Sequence, residues 1–340
     1  MTAAQRSRPP GGAGLVPNTL GVPCVADDVR VVADAEALAR NLREADASAR
    51  PVTVVAGGSN LVLRSRLPGV VLLLRIRGLR LERLAASRWR VTAGAGENWH
   101  ELVCATLGLG IGGLENLALI PGSVGAAPVQ NIGAYGRELK DVLESVTVFD
   151  RGSGGLRELT VKDCGFGYRD SAFKRTPGPI IVAVTMVLGH RGLVTDYPDV
   201  ARELGRSGIR PSPWVVADVV TRVRQQKLPD PRRVGNVGSF FKNPVLTPRS
   251  FEGLRGKLSV EGYAVNDRIK VPAARLIDAA GWKGVSHGAV QVWPRQPLVL
   301  VNRGGATGAD VLALARRIRD DVFAKYDVAL ELEPTVLGTD

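Results

Sequence analysis

Residues 120–136 read IPGSVGAAPVQNIGAYG, a stretch with four glycines and two prolines in seventeen residues. Glycine and proline at this density disfavour both an α-helix and a β-strand. The composition is nevertheless varied, so the stretch is not a low-complexity linker. A long ordered loop of this kind is typical of a functional region, and an elaborate structural loop is the alternative.

The sequence on either side of this loop alternates between predicted strands and predicted helices. Strands are predicted at 51–56, 70–74, 89–94, 145–150 and 180–188, and helices at 33–45, 98–110, 215–229 and 307–326. The last helix has the clearest signals, because Thr307 and Asp310 form a start that resembles a capping box. Composition changes near residues 78 and 229, and 340 residues suffice for two or three domains.

Composition and charge limit the class of protein. The chain is 45% hydrophobic and 23% charged, as is usual for a soluble globular protein. The net charge of +12 raises the possibility of nucleic-acid binding. However, the arginines are dispersed and aromatic residues make up only 5% of the chain, so a basic cleft for a small phosphate-bearing molecule is favoured.

No stretch of the sequence has the roughly 18 apolar residues that a membrane span requires, and residues 1–17 lack a signal pattern. Those residues are predicted to be a disordered lead-in, and we expect a cytoplasmic protein. Cys24, Cys104 and Cys164 lie far apart without a Cys-x-x-Cys motif or a histidine cluster. We therefore predict no metal site and no disulfide, and we expect three buried reduced thiols.

Two glycine-rich turns could bind phosphate. GGSN (57–60) follows a predicted strand, and such a turn can present backbone N–H groups and a hydroxyl to an anion. It matches neither the dinucleotide fingerprint nor the P-loop, so an ordinary turn after a strand is the alternative. The 120–136 loop adds Ser123, Gln130, Asn131 and Tyr135, and two such turns can hold both ends of a diphosphate.

Two further motifs carry reactive side chains. CGFGYRDSAFK (164–174) sets Arg169 beside Tyr168, and arginine suits bidentate recognition of a carboxylate. A pair between Arg169 and Asp170, or another surface carboxylate, is the alternative. GNVGSFFKNP (235–244) places Ser239 among glycines. That serine could be a nucleophile, a proton donor or a turn residue, and no Gly-x-Ser-x-Gly elbow surrounds it.

In this order, GGSN, the 120–136 loop, GYRDSAFK and GNVGSFFKNP resemble the UDP-N-acetylenolpyruvoylglucosamine reductase (UDP-N-acetylmuramate dehydrogenase) family. The resemblance covers roughly residues 18–338, and KLPDP (227–231) also fits it. LVTDYPDV (193–200) resembles the tyrosine-bearing loop of the family's longer subtype.

The resemblance implies an α+β fold. It consists of a vanillyl-alcohol-oxidase/PCMH-type FAD-binding unit of two subdomains and a C-terminal α+β substrate-binding domain. The expected divisions are a lead-in at 1–17, a first subdomain at 18–78 joined by the tail 323–340, a second subdomain at 79–228, and a substrate domain at 229–322.

The resemblance also implies the activity. The chain is expected to be an FAD-containing, NADPH-dependent oxidoreductase that reduces UDP-N-acetylglucosamine enolpyruvate to UDP-N-acetylmuramate in peptidoglycan precursor synthesis. NADPH reduces FAD, and hydride then reaches the enolpyruvyl double bond. The expected partner is this small molecule alone, with no nucleic acid, membrane or metal, and the protein is expected to be a monomer.

Residue roles follow from the same resemblance. Ser239 is expected to be the general acid, Arg169 to contact the enolpyruvyl carboxylate, and Glu333 to complete the catalytic set. The residues expected to bind FAD are Gly57, Gly58, Ser59, Asn60, Leu61, Pro121, Gly122, Ser123, Gly125, Ala126, Gln130, Asn131, Gly133, Ala134 and Tyr135. The residues expected to bind substrate are Tyr168, Arg169, Tyr197, Lys227, Lys242, Asn243 and Gln296.

The chain departs from the family pattern in two places. Near the C-terminus Glu331 and Glu333 compete for the catalytic position; the spacing selects Glu333, and Pro334 then replaces the usual valine. Ala56 stands where many members carry another glycine. A different FAD enzyme of the same fold, such as an oxidase of alcohols or sugars, is the alternative function.

Overall fold

The computed structural model describes residues 12–176, 178–189 and 192–340. Helices and strands are mixed along the whole chain, and short 3-10 helices lie at Glu115–Leu117, Val124–Ala126, Pro128–Gln130 and Leu139–Asp141. The helices are α1 (Ala35–Ala47), α2 (Trp99–Gly108), α3 (Ala172–Arg175), α4 (Pro198–Ser207), α5 (Pro213–Lys227), α6 (Pro248–Arg255), α7 (Ala273–Ala279) and α8 (Gly308–Tyr326). The strands are β1 (Gly12–Leu15), β2 (Val25–Val32), β3 (Val52–Val55), β4 (Leu61–Leu63), β5 (Arg66–Leu74), β6 (Leu79–Ala85), β7 (Arg88–Gly94), β8 (Gly133–Ala134), β9 (Arg137–Glu138), β10 (Leu143–Asp150), β11 (Gly155–Thr160), β12 (Ile180–Gly189), β13 (Gly235–Ser239), β14 (Val245–Leu246), β15 (Tyr263–Val265), β16 (Arg268–Lys270), β17 (Ser286–His287), β18 (Val290–Val292), β19 (Val299–Asn302) and β20 (Thr335–Leu337).

The first sheet has the strand order β1-β2-β5-β3. β5 is parallel to both β2 and β3, and its run from Val70 to Leu74 is buried on both faces, as is usual for a central parallel strand. α1 covers one face with Leu38 and Leu42, and Asp34 caps its N-terminus by accepting a hydrogen bond from the Ala37 N–H.

The second sheet is antiparallel, in the order β11-β10-β12-β7-β6. Its core cluster includes residues of α2, α4 and α5. α5 begins at Pro213 behind the cap Ser212, and its buried valines Val216, Val219, Val220 and Val223 form the predicted apolar face.

The third sheet has the order β13-β19-β18-β17. Together with α6, α7 and α8 it shares one core cluster with the first sheet. The predicted start of α8 is confirmed, because Thr307 and Asp310 form a reciprocal capping box. Three smaller sheets are also present: the antiparallel sheet β14-β16-β15, the parallel pair β20 and β4, and the antiparallel pair β8 and β9.

Two sequence predictions are wrong. Residues 12–15 form strand β1, paired with β2, so the disordered lead-in does not extend through residue 17; residues 1–11 lie outside the described residues. Cys104 is exposed, whereas Cys24 and Cys164 are buried as predicted. Cys104 faces away from the buried side of α2, which carries Leu102, Val103 and Leu107.

The domain divisions at 78, 228 and 322 stay a prediction. β6 begins at Leu79 and α5 ends at Lys227, whereas the division at 322 falls inside α8. Within the described part of the chain, no helix is long and apolar enough to cross a membrane.

Candidate active site

A cavity of about 520 Å³ lies where the sheets and their loops meet. The predicted residues on its wall are Gly57, Gly58, Ser59, Asn60, Leu61, Pro121, Ser123, Gly125, Ala126, Gln130, Gly133, Arg169, Ser239 and Glu333. Residues of GGSN, the 120–136 loop, GYRDSAFK and GNVGSFFKNP therefore line one cavity, together with Glu333 from the C-terminal tail.

The two glycine-rich turns touch each other. A Cβ atom on Gly57 would lie 3.1 Å from the Gly122 Cα, and one on Gly122 would lie 2.5 Å from the Ser59 Oγ. Gly122 also has φ +116°, a conformation that side chains other than glycine rarely adopt. Glycine is favoured at Gly122 by this φ, whereas at Gly57 a Cβ atom would require the Gly122 backbone to move by a few tenths of an ångström.

Ser123 directs a polar group into this region without a partner. Its Oγ is buried and forms no hydrogen bond to any described residue. Backbone bonds fix the loop around it, because the Trp99 N–H donates to the Gly122 carbonyl at 3.0 Å and the Val124 N–H to the Glu97 carbonyl at 2.8 Å. An orphaned hydroxyl beside two glycine turns is suited to a ligand that carries phosphate oxygens.

The C-terminal tail connects the other motifs. The Glu333 N–H donates to the Phe240 carbonyl at 3.0 Å, and the Thr335 N–H donates to the Asn60 carbonyl at 3.0 Å. The Glu333 carbonyl in turn accepts a hydrogen bond from Gln130 Nε2 at 2.8 Å. The tail therefore holds Glu333 between the first glycine turn, the 120–136 loop and the Ser239 strand.

Arg169 and Glu333 form an ion pair at the cavity wall. Arg169 Nε donates to Glu333 Oε1 at 3.0 Å, and its Nη2 donates to the Gly133 carbonyl at 2.8 Å. Its three other N–H groups bond to no residue in the described ranges. Arg169 thus pairs with Glu333, and Asp170 pairs with Arg175.

Burial raises the pKa of the Glu333 carboxyl above its ordinary value, and the charges of Arg169, Lys174 and Lys242 oppose that rise. Glu331 differs, because its side chain is 74% exposed and pairs with Lys242. The spacing argument that selected Glu333 thus picks the carboxylate on the cavity wall.

Ser239 reaches the cavity through a local irregularity in β13. The pairing of β13 with β19 shifts between Asn236 and Ser239, and Gly238 has φ +72°. The next two residues, Phe240 and Phe241, are fully buried and anchor the strand. The Ser239 hydroxyl has no hydrogen-bond partner among the residues that the structure describes, so it is available to a ligand.

Comparisons with known proteins identify the family of this chain. The family model of the C-terminal domain of UDP-N-acetylenolpyruvoylglucosamine reductase matches residues 230–337, and the FAD binding domain model matches residues 26–160. The reductase of Burkholderia orbicola (strain MC0-3) is 48% identical over 331 residues, which cover 94% of each chain. The chain belongs to the UDP-N-acetylenolpyruvoylglucosamine reductase family.

Two other members of the family are also similar to this chain over most of its length. The reductase of Paraburkholderia xenovorans (strain LB400) is 48% identical over 87% of this chain and 88% of its own. The crystal structure of the Thermus caldophilus reductase covers 96% of this chain and 100% of its own, with 28% identity and a TM-score of 0.68. The predicted family and the predicted α+β flavoenzyme fold are both confirmed.

Tyr168 lies beside the ion pair. The Arg169 guanidinium carbon is 5.5 Å from the Tyr168 ring centroid, and Lys270 Nζ is 5.2 Å from it. Burial raises the pKa of Tyr168, and the charge of Arg169 and hydrogen bonding with Asn243 oppose the rise. Asn243 is itself fixed, because its Oδ1 accepts a hydrogen bond from the Ala273 N–H at 2.9 Å.

Tyr197 packs against Tyr135 in an edge-to-face contact, with ring centroids 5.2 Å apart. Burial raises the pKa of Tyr135 to about 12. Asn116 Nδ2 connects the two loops, because it donates to the carbonyls of Tyr135 and Val194 at 2.9 Å each. The tyrosine-bearing loop therefore docks on the 120–136 loop.

Several predicted residues have protein partners away from the cavity wall. Lys227 Nζ pairs with Asp199 Oδ2 at 2.5 Å, and Lys242 Nζ pairs with Glu331 Oε2 at 3.0 Å. Asn131 is buried, and its amide donates to Glu138 Oε2 at 2.9 Å. The residues that were predicted but do not line the cavity are Gly122, Asn131, Ala134, Tyr135, Tyr168, Tyr197, Lys227, Lys242, Asn243 and Gln296; their binding roles stay predictions.

Sequence reasoning missed two cations. Arg224 lines the cavity and bonds to Tyr135, and its Nε is buried without a partner in the described ranges. Arg224 follows Val223 at the edge of the apolar stripe of α5. That position in the sequence could have indicated that Arg224 is partly buried. Lys174 ends the GYRDSAFK motif, and burial and the charge of Lys242 lower its pKa.

Proposed function

We propose that the chain catalyses the NADPH-dependent reduction of UDP-N-acetylglucosamine enolpyruvate to UDP-N-acetylmuramate through bound FAD. One observation carries the proposal. A single cavity joins two touching glycine turns to a free serine hydroxyl and an arginine–glutamate pair, which are the groups that this reaction needs.

FAD would be held by the turns at 57–61 and 121–135. The close approach of Gly57 to Gly122 and the unpartnered Ser123 hydroxyl support diphosphate binding there. Bound FAD supplies the hydride carrier between NADPH and the double bond of the substrate. The protein's own contribution is to bind and orient both partners and to provide charge and a proton.

Arg169 would bind the enolpyruvyl carboxylate. The contacts to Glu333 and Gly133 hold its guanidinium in place, which leaves its other N–H groups for a bidentate partner. When hydride adds to the terminal carbon, the electron pair of the double bond shifts onto the neighbouring carbon and its carboxylate. Arg169, with Lys174 and Lys242 near Glu333, would stabilise that negative charge.

Ser239 would then donate its hydroxyl proton to the neighbouring carbon and regain a proton from solvent. A serine is a weak acid, but the electron-rich carbon is a strong base, and nearby cations reduce the remaining difference. Gly238, with its positive φ, lets the hydroxyl face the cavity without crowding. A nucleophilic role is disfavoured because no described base contacts the hydroxyl.

The sugar nucleotide would bind on the tyrosine side of the site. Tyr168, Tyr197, Asn243 and Gln296 are proposed contacts, together with Lys227 and Lys242 once substrate displaces their carboxylate partners. We infer further that the enzyme acts as a cytoplasmic monomer and binds no nucleic acid.

An absorption spectrum tests the proposal. A yellow flavin band should bleach on anaerobic addition of NADPH and return on addition of the enolpyruvyl UDP-sugar. A colourless protein that takes up no FAD would refute the flavoenzyme assignment. A band that bleaches and returns only with air would instead favour an oxidase of the same fold.

A further inference from the structure

The cavity has a second end, whose wall is apolar apart from one cation. The apolar residues there are Val52, Val54, Leu74, Ile180 and Ile181. The cation is Arg151, which follows directly after β10 and also lines the cavity. None of these residues belongs to the catalytic groups or to the glycine turns.

The course of the chain shows that this end is remote from the reaction. β3 starts at Val52 and leads into the first glycine turn, which reaches Asn60 beside Glu333 and Thr335. At about 3.3 Å per residue, the five steps from Val52 to Gly57 span roughly 16 Å. The glycine turns therefore lie between the apolar end and the catalytic end.

Local bonds and an ion pair fix Arg151. The Asp150 carboxylate accepts hydrogen bonds from the backbone N–H groups of Gly152 and Ser153, which orders the turn around Arg151. Arg151 Nη2 pairs with Asp46 Oδ1 on α1. This pair connects the helix over the first sheet to the end of a strand in the second sheet, beside the distal end of the cavity.

We propose that Arg151 binds the adenosine end of FAD by stacking its guanidinium on the adenine ring. The inference rests on the proposed function. The redox-active ring must lie near Ser239, and the diphosphate suits the glycine turns, so the adenosine must occupy the remaining end. Apolar walls suit a flat base, and arginine is the cation that stacks best on such a ring.

The ion pair between Arg151 and Asp46 orients the Arg151 side chain rather than stabilising the fold. Its side chains are 36% and 56% exposed, and ion pairs this exposed add little to the free energy of unfolding. Arg151→Ala should therefore fold normally, and any change in cofactor affinity reports on a lost contact.

The proposal is tested by titrating the FAD-stripped protein with flavin. Quenching of flavin fluorescence measures the affinity. Arg151→Ala should bind FAD roughly tenfold more weakly, which is the value of a partly desolvated guanidinium on an aromatic ring. Its affinity for FMN, which lacks the adenosine half, should stay unchanged. The inhibition constant of ADP, which carries the adenosine and a diphosphate without the flavin, should rise by the same factor.

Two variants sharpen the test. Arg157→Ala is the matched control, because Arg157 belongs to the same hairpin, pairs with Asp150 and does not line the cavity; its FAD affinity should equal that of the wild type. Arg151→Lys keeps the charge but not the planar group and should remain weakened.

The proposal would be overturned if Arg151→Ala bound FAD as tightly as the wild type, if FAD and FMN weakened equally, or if lysine restored full affinity. Failure of the wild-type protein to bind FAD at all would instead refute the proposed function.

Discussion

Replacing Arg169 with methionine should lower the free energy of unfolding in a manner that depends on pH. Arg169 and Glu333 are 3.0 Å apart, with side chains only 21% and 15% exposed. At an effective dielectric constant of about 20, charges about 4 Å apart attract by about 4 kcal/mol. Loss of one partner from a buried pair costs about 3–5 kcal/mol, so we expect a loss of about 3 kcal/mol at pH 8.

The pH dependence follows from the raised pKa of Glu333. Because its folded-state pKa lies above its ordinary value, the stability that Glu333 contributes is complete below the unfolded-state pKa and is lost as pH rises through the folded-state pKa. Arg169→Met removes the nearest cation and raises that pKa further. The difference from the wild type should therefore grow with pH, and it should shrink to about 1 kcal/mol, the value of one lost hydrogen bond, once Glu333 is protonated.

Urea unfolding at saturating FAD, repeated from pH 8 down to about 4.5, measures how the free energy of unfolding of each variant changes with pH. Wild type, Arg169→Met, Glu333→Gln and the double variant form a cycle whose coupling energy isolates the pair. Arg175→Met is the matched control, because Arg175 pairs with Asp170 at the surface, with 51% and 35% exposure, and should cost less than about 1 kcal/mol. A coupling energy that is near zero, or the same at every pH, would refute the reasoning.

Three further predictions concern the serine, the glycine turns and the thiols. Ser239→Ala should leave flavin reduction by NADPH intact in stopped-flow measurements but slow reoxidation by substrate about 10²–10⁴-fold; two unchanged half-reactions would exclude the acid role. Gly57→Ala should weaken FAD binding about tenfold by crowding the Gly122 backbone, whereas Gly108→Ala, with open space around it, should bind normally in the same titration. In mass spectra, iodoacetamide should label Cys104 in the folded protein, and labelling of the other two cysteines before unfolding would contradict their burial and raised pKa.

Local sequence signals predicted those parts of the fold that depend on nearby residues. The capping box at Thr307 and the valine stripe of α5 are set by spacings of three and four residues, and both are confirmed. Strand β1 was missed because a glycine-rich segment has little strand propensity of its own, and it forms only by pairing with β2. The exposure of Cys104 could have been read from the helical period of α2.

The candidate active site depends on contacts that no local pattern contains. Arg169 and Glu333 lie 164 positions apart, and the carbonyl of Gly133 completes the support of the guanidinium. Motif resemblance predicted roles for both charged residues because it carries information from related chains, and those roles stay predictions. It did not reveal that they pair, nor that Arg224 faces the same cavity, since both facts depend on how three sheets pack.

Pro334 illustrates how the structure accommodates a departure from the family pattern. Proline has no N–H, but here the backbone bonds that hold the tail use the N–H groups of Glu333 and Thr335 and the carbonyl of Glu333. Pro334 is buried and stands directly before the first residue of β20, a position that proline tolerates because no ladder bond is lost. Proline also favours an extended conformation in the residue before it. The substitution therefore preserves each backbone contact that positions Glu333, and it restricts the backbone conformation of that residue.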